Sequence, residues 1–192
     1  MIIKKASFIK SVYDESEFIN DNLKKIAFIG RSNVGKSSLI NRLTNNSHLA
    51  RVSKTPGKTV SINYFLINDT FYFVDMPGYG YAKGSQEKVS TFSDISDKYI
   101  KSGLLDYIFL LVDSRRVTSD DISMMNYLKE YKIPTKVILT KIDTLKRNDI
   151  KKRLLDSKNI LEVDEKDIIL FSSNTKEGMD NLLSNLENIL NL

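Results

Sequence analysis

Gly30-Arg31-Ser32-Asn33-Val34-Gly35-Lys36-Ser37-Ser38 follows directly on the apolar run Lys25 to Ile29 (KIAFI) and leads into a helical pattern carrying Leu39, Ile40 and Leu43. The string fits G-x-x-x-x-G-K-[ST] between a strand and a helix. Its glycines let backbone wrap closely around phosphate, its amides and the helix N-terminus supply positive potential, and Lys36 reaches the β and γ phosphates. Ser37 is placed to ligate magnesium through its hydroxyl.

Outward from this loop, strand-like runs recur at Phe71 to Val74 (FYFV), Tyr107 to Val112 (YIFLLV), Val137 to Leu139 (VIL) and Ile168 to Phe171 (IILF). They read as strands apolar on both faces. Helical patterns lie between them: Ile122, Met125 and Leu128 behind Thr118-Ser119-Asp120-Asp121, and Met179, Leu182, Leu183, Leu186 and Leu190 near the end. That alternation predicts an α/β fold, a mainly parallel central sheet with helices on both faces, and ligands beyond the carboxyl ends of the strands. Ser61 to Ile67 and Phe8 to Val12 stand outside the rhythm and are expected at the sheet edge. Asn68-Asp69 reads as a hairpin turn, so the Ser61 strand should run antiparallel to its successor.

The chain has 192 residues, enough for one domain with a sizeable core. No cysteine and a single histidine, His48, exclude thiolate chemistry, Cys-zinc sites and a His-His metal pair, leaving oxygen ligands that suit magnesium. The longest apolar run, Tyr107 to Val112, is 6 residues, against about 20 for a membrane span. Lys4 and Lys5 are followed by Asp14, Glu15 and Glu17 with no apolar stretch between, unlike a secretory or transit segment. The expectation is a monomeric cytoplasmic protein that does not enter a membrane. A net charge of +5 permits a polyanionic partner such as RNA as well as nucleotide phosphates. His48, Arg115-Arg116 and Lys151-Lys152-Arg153 read most simply as solvated, although an RNA partner would use such basic clusters.

Two more strand ends complete the chemistry. Asp75-Met76-Pro77-Gly78 is a D-x-x-G, where an aspartate can serve a nucleotide-bound magnesium through water and Gly78 offers an amide to the γ-phosphate. Thr140-Lys141-Ile142-Asp143 places a carboxylate where it can accept from N1–H and N2–H₂ of guanine, while adenine offers it no such pair of donors. The Lys141 stem can lie against the base. Ser172-Ser173-Asn174 follows the last strand, and its amides are expected near guanine O6. A loop threonine closing over magnesium and γ-phosphate is then needed, and Thr55-Pro56-Gly57-Lys58-Thr59 offers two.

These residues resemble translation-factor-related GTPases and, among them, the EngB (YihA or YsxC) family of bacterial GTP-binding proteins. The resemblance rests on Lys10-Ser11-Val12-Tyr13, GRSNVGKSSLIN, TPGKT with Asn63-Tyr64-Phe65 after it, DMPGYGYAK, LLVDSRR, LTKID and FSSNTKEG. It implies a single P-loop GTPase domain over 1–192, with 1–22 as an N-terminal extension adding an edge strand. It selects Thr59 over Thr55 as the switch threonine, adds Gly57 and Lys58 to the nucleotide contacts, and implies a role in large ribosomal subunit assembly with a link to cell division and septation. One departure is Val60, where the family pattern expects glutamine.

Ras-like enzymes orient the attacking water with a glutamine after D-x-x-G; here that position is Tyr79. Slow intrinsic GTP hydrolysis is therefore expected, with Lys36, Thr59 and Gly78 at the phosphates and the protein acting as a switch. Gly78-Tyr79-Gly80-Tyr81 reads as the moving element, in direct contact with a partner, or as a locally packed pair of tyrosines. Asn33 resembles the P-loop asparagine of GTPases that lack the glutamine and use potassium; its alternative role is to tolerate an unusual backbone angle. A GTP-dependent interaction protein of the division machinery without RNA contact is the competing function. A P-loop nucleotide kinase is disfavoured by the absence of an arginine-rich lid and by Asp143.

Overall fold

The computed structural model describes residues 1–51, 61–80 and 93–191. Seven strands form one sheet: β1 (Ala6–Val12), β2 (Lys24–Gly30), β3 (Ile62–Ile67), β4 (Phe71–Asp75), β5 (Tyr107–Asp113), β6 (Thr135–Thr140) and β7 (Ile168–Leu170). Their spatial order is β1-β3-β4-β2-β5-β6-β7. All neighbours from β4 to β7 pair in parallel, while β3 is antiparallel to both β4 and β1. The two strands read as outside the rhythm thus do form one edge, with β1 covering β3. The β3–β4 connection turns at Asn68 (φ 49°) and Asp69 (φ 59°), the paired left-handed conformation of a tight hairpin whose twist matches its strands.

Burial on both faces follows from alternation along β2. Ile26 and Phe28 point to the layer containing α1 (Lys36–Leu43) and α5 (Met179–Leu190), with Leu39, Phe73, Phe109, Leu182 and Leu186. Ala27 and Ile29 point to the opposite layer, where α2 (Asp94–Lys101), α3 (Ser119–Glu130) and α4 (Arg147–Leu161) contribute Tyr99, Leu128 and Leu161. Phe28 is fully buried, edge-on to Phe73 at 5.0 Å and stacked with Phe109 at 5.6 Å. Truncation to alanine there should cost about 3–5 kcal/mol.

Helices α2 and α4 were not among the helical patterns read from the sequence. The first is only two turns long, with Ile95, Tyr99 and Ile100 facing inward. The second turns in little beyond Leu154, Ser157 and Leu161, while Leu155 and Ile160 face outward, so its inward apolar stripe is narrow. By contrast α3 starts where its cap signal placed it: Thr118 and Asp121 form a reciprocal capping box.

Candidate functional site

Gly30 ends β2 so close to β5 that an added Cβ would lie 2.7 Å from Val34 Cγ1 and 2.9 Å from the Leu111 carbonyl oxygen. No larger residue fits, and the loop folds back over the sheet end. Asn33 (φ 66°) and Gly35 (φ 107°) then take left-handed conformations that turn the chain into α1. Within the loop, the Ser32 amide donates to the Tyr79 carbonyl at 3.3 Å and the Val34 amide to the Arg31 carbonyl at 3.1 Å. The amides of Asn33 and Gly35, and those of Lys36, Ser37 and Ser38 opening α1, make no such bond among the described residues. These are the donors left for an anion, at the positive end of a helix dipole.

Lys36 forms an ion pair with Asp75 at the end of β4, both side chains being nearly buried. The Ser37 hydroxyl, half-buried, has no hydrogen bond among the described residues. Met76 is buried, and its amide donates to the Phe28 carbonyl at 3.1 Å, which carries Pro77 and Gly78 across the sheet end beside the phosphate loop. A Cβ on Gly78 would lie 3.0 Å from Ser32 Oγ and 3.1 Å from Ser32 N, so a larger residue here would crowd the contact between the two loops. Among the described residues no group of three or more His, Cys, Asp or Glu can hold a metal. The donors present, a free serine hydroxyl and one strand-end carboxylate beside an anion cradle, fit a magnesium ion that takes its remaining ligands from phosphate and water.

Tyr79 is packed locally, while Tyr81, the other tyrosine of the segment, lies outside the described residues. The Tyr79 ring is 2% exposed, and its hydroxyl donates to Asp121 Oδ1 at 2.8 Å. Burial, followed by the Asp121 charge, pushes the phenol well above the usual tyrosine range. The side chain at the glutamine position is therefore anchored in the core by Asp121. Gly80 beside it (φ 80°) leaves room for Asp120 and Arg31, which face each other at 3.7 Å. Tyr81 and the whole Thr55 to Val60 stretch, with Gly57, Lys58 and Thr59, lie outside the described residues.

At the other end, Thr140 donates its hydroxyl to the Val34 carbonyl at 2.8 Å, fastening β6 to the phosphate loop. Lys141, in a left-handed conformation (φ 61°), donates to the Asn33 carbonyl at 2.8 Å and to Asp113 Oδ2 at 3.0 Å. Its stem is thereby stretched along the pocket. Ile142 is buried and directs Asp143 outward. Asp143 accepts from the Ser172 hydroxyl at 2.6 Å and from Asn174 Nδ2 at 2.9 Å, and these bonds, Ser172 first, lower its pKa. A carboxylate has about four acceptor sites, so two remain for a base edge. Beside it lies a cavity of about 600 Å³ reaching from Gly35 and Ser38 to Lys141, Asp143, Thr144 and Asn174.

The last loop narrows which of the Ser172-Ser173-Asn174 amides is open to a base. The Ser172 amide donates to the Glu177 carbonyl and the Asn174 amide to Ser172 Oγ at 3.2 Å, leaving only the Ser173 amide unbonded among the described residues. The Ser173 carbonyl accepts from Arg42 Nε at 2.8 Å, joining this loop to α1.

Asp113 is a site residue that motif reading passed over. Burial raises its carboxyl, but hydrogen bonds from the Arg115 side chain and backbone and from Lys141 outweigh that effect and leave it at about 2. Arg115, read as solvated, is exposed but grips Asp113 with both Nε (2.8 Å) and Nη2 (2.6 Å). Its signal was position, since Asp113 ends a central strand on the ligand side.

Residues 25–141 match the family described as 50S ribosome-binding GTPase. The chain is 48% identical to the probable GTP-binding protein EngB of Fusobacterium nucleatum, covering 100% of both chains. It is 47% identical to the protein of the same description from Clostridium beijerinckii, covering 97% of this chain and 96% of the relative. A crystal structure of a probable GTP-binding protein engB superposes with a TM-score of 0.69 at 26% identity, over 87% of this chain and 98% of the other. A phosphate cradle, a guanine-compatible carboxylate and a full-length match to these relatives place the chain in the EngB family of GTP-binding proteins, GTPases of the P-loop class.

Proposed function

We propose that the protein is a slow GTPase switch of the cytoplasm that acts in assembly of the large ribosomal subunit, with a link to cell division and septation. The observation that carries the switch reading is the burial of Tyr79 against Asp121: the side chain that follows D-x-x-G does not orient a water, so intrinsic hydrolysis is slow and the bound state persists. The ribosomal partner is supported by the description of the matching family.

In this reading the amides of Asn33, Gly35 and the first turn of α1 take the phosphates, with Gly30, Arg31, Ser32 and Val34 shaping the loop. Lys36 exchanges the Asp75 carboxylate for phosphate oxygens, which frees Asp75 to accept a hydrogen bond beside the magnesium site. Ser37 and the switch residue Thr59 would hold magnesium, which would supply neutralisation of phosphate charge. Gly57 and Lys58 join Thr59 in that loop, and Gly78 donates its amide to the γ-phosphate, so only the triphosphate holds both loops in one arrangement. Asp143 and the Lys141 stem select guanine, with the Ser173 amide near O6.

Sedimentation with purified ribosomal subunits tests this. The protein should pellet with the large subunit more strongly with a non-hydrolysable GTP analogue than with GDP, because a ligand shifts a switch only by its differential affinity for the two states. Equal binding in both states overturns the switch. Absence of subunit binding at low salt favours a division-machinery protein without RNA contact, whose partners would survive nuclease treatment in a pull-down.

A further inference from the structure

We infer that one flank of helix α4 is the surface through which the protein contacts RNA phosphates; this rests on the ribosomal reading above and names the contact. Between Lys146 and Lys158 the chain carries six lysines and arginines against two aspartates, a net +4. The whole chain carries +5, so the other 179 residues together contribute +1. The positive charge is therefore concentrated on one element, which begins just after the Asp143 loop. None of those six cations forms an ion pair among the described residues, although twelve pairs occur elsewhere, including at Lys129, Lys136 and Lys141.

The helix sorts these charges. At about 100° per residue, three of the six, Arg147, Lys151 and Lys158, fall with Leu155 within an arc of about 80°, while Asp149 and Asp156 fall on the far side, Lys152 lies outside the arc and Lys146 precedes the helix. With about 1.5 Å of rise per residue the stripe from Arg147 to Lys158 is about 16 Å long, enough to follow a phosphate backbone. Leu155, 40% exposed, lies within it and offers an apolar body for a ribose or base edge. Arg153 lies on the opposite flank. A helix lying on a membrane would need a broad apolar face turned outward, whereas the apolar side of α4, with Leu154 and Leu161, is packed against the core. The carboxylates are few and turned away, so the stripe attracts a polyanion over its full length.

The test is co-sedimentation of the full-length protein with purified large subunits across a salt series, bound to the GTP analogue. Arg147→Gln/Lys151→Gln/Lys158→Gln should lower the log-log salt slope by roughly 2 to 3, at about 0.7 to 0.9 for each phosphate no longer neutralised, while GDP affinity stays unchanged. Arg153→Gln should leave the slope as it is. A triple variant with the wild-type slope overturns the assignment while leaving the ribosomal reading intact. A slope lowered as much by Arg153→Gln as by the stripe substitutions overturns the choice of flank. Wild-type protein that pellets with no subunit overturns both. Binding of wild-type protein to vesicles of phosphatidylglycerol that the triple variant lacks assigns the stripe to a membrane instead and overturns the RNA contact.

Discussion

Tyr79 donates its hydroxyl to Asp121 Oδ1 at 2.8 Å, while Asp121 Oδ2 accepts from the Thr118 amide at 2.8 Å and the Thr118 hydroxyl at 2.7 Å. One buried carboxylate thus caps α3 and anchors the loop beside Gly78. Tyr79→Phe leaves that carboxylate short of a partner and should destabilise the fold by about 1–3 kcal/mol. Asp121→Ala removes the cap as well and should cost more. Urea unfolding measures both. A Tyr79→Phe protein as stable as wild type would contradict the anchoring role.

Asp113 carries a pH dependence. Its folded pKa, about 2, lies below its ordinary value of 3.8. The charged form therefore stabilises the fold at pH values above about 4, and the contribution fades as pH falls through that range toward 2. The stability difference between wild type and Asp113→Asn should shrink by roughly 2 kcal/mol between pH 6 and pH 2.5. Urea midpoints across that range check it. A difference that stays constant with pH would show that Asp113 does not titrate as its contacts require.

Asn33 holds a left-handed conformation (φ 66°) and offers its carbonyl to Lys141, which meets the backbone role expected of it. Its side chain is exposed at the mouth of the phosphate loop, so the ion-binding role rests on a separate measurement. If Asn33 ligates potassium, hydrolysis in KCl should exceed that in matched NaCl by about tenfold or more, since one preorganised cation at developing phosphate charge lowers the barrier by at least about 1.4 kcal/mol. Asn33→Ala should abolish the difference. Equal rates in both salts, free and subunit-bound, leave Asn33 with its backbone role alone.

The elements that position the site were legible because each carries a local signal. KIAFI is apolar on both faces, the glycines at 30 and 78 stand where chain segments meet, Gly35 takes a left-handed backbone, and Thr118 with Asp121 announces a helix start. What stayed hidden depends on partners distant in sequence. Lys141 and Asp113 are 28 residues apart and Tyr79 and Asp121 are 42 apart, so nothing local says where those side chains point. Helix α4 was missed because it turns so little apolar surface inward. Which of the Ser172-Ser173-Asn174 amides stays open was hidden for a similar reason: Ser172 Oγ and the Glu177 carbonyl capture two of the three donors, a detail of loop geometry.

Guanine selection by Asp143 is the central claim, and calorimetry of nucleotide binding to wild type and Asp143→Asn tests it most directly. Two charge-assisted hydrogen bonds of about 1.5–3 kcal/mol each are at stake, so the substitution should weaken GDP and GTP by roughly 10² to 10⁴-fold. It should strengthen xanthine nucleotides, whose 2-position carries an oxygen that the new amide can donate to. Wild-type protein should bind GTP and show no comparable affinity for ATP. ATP bound as tightly as GTP by wild type, or GDP affinity unchanged in Asp143→Asn, would contradict the account.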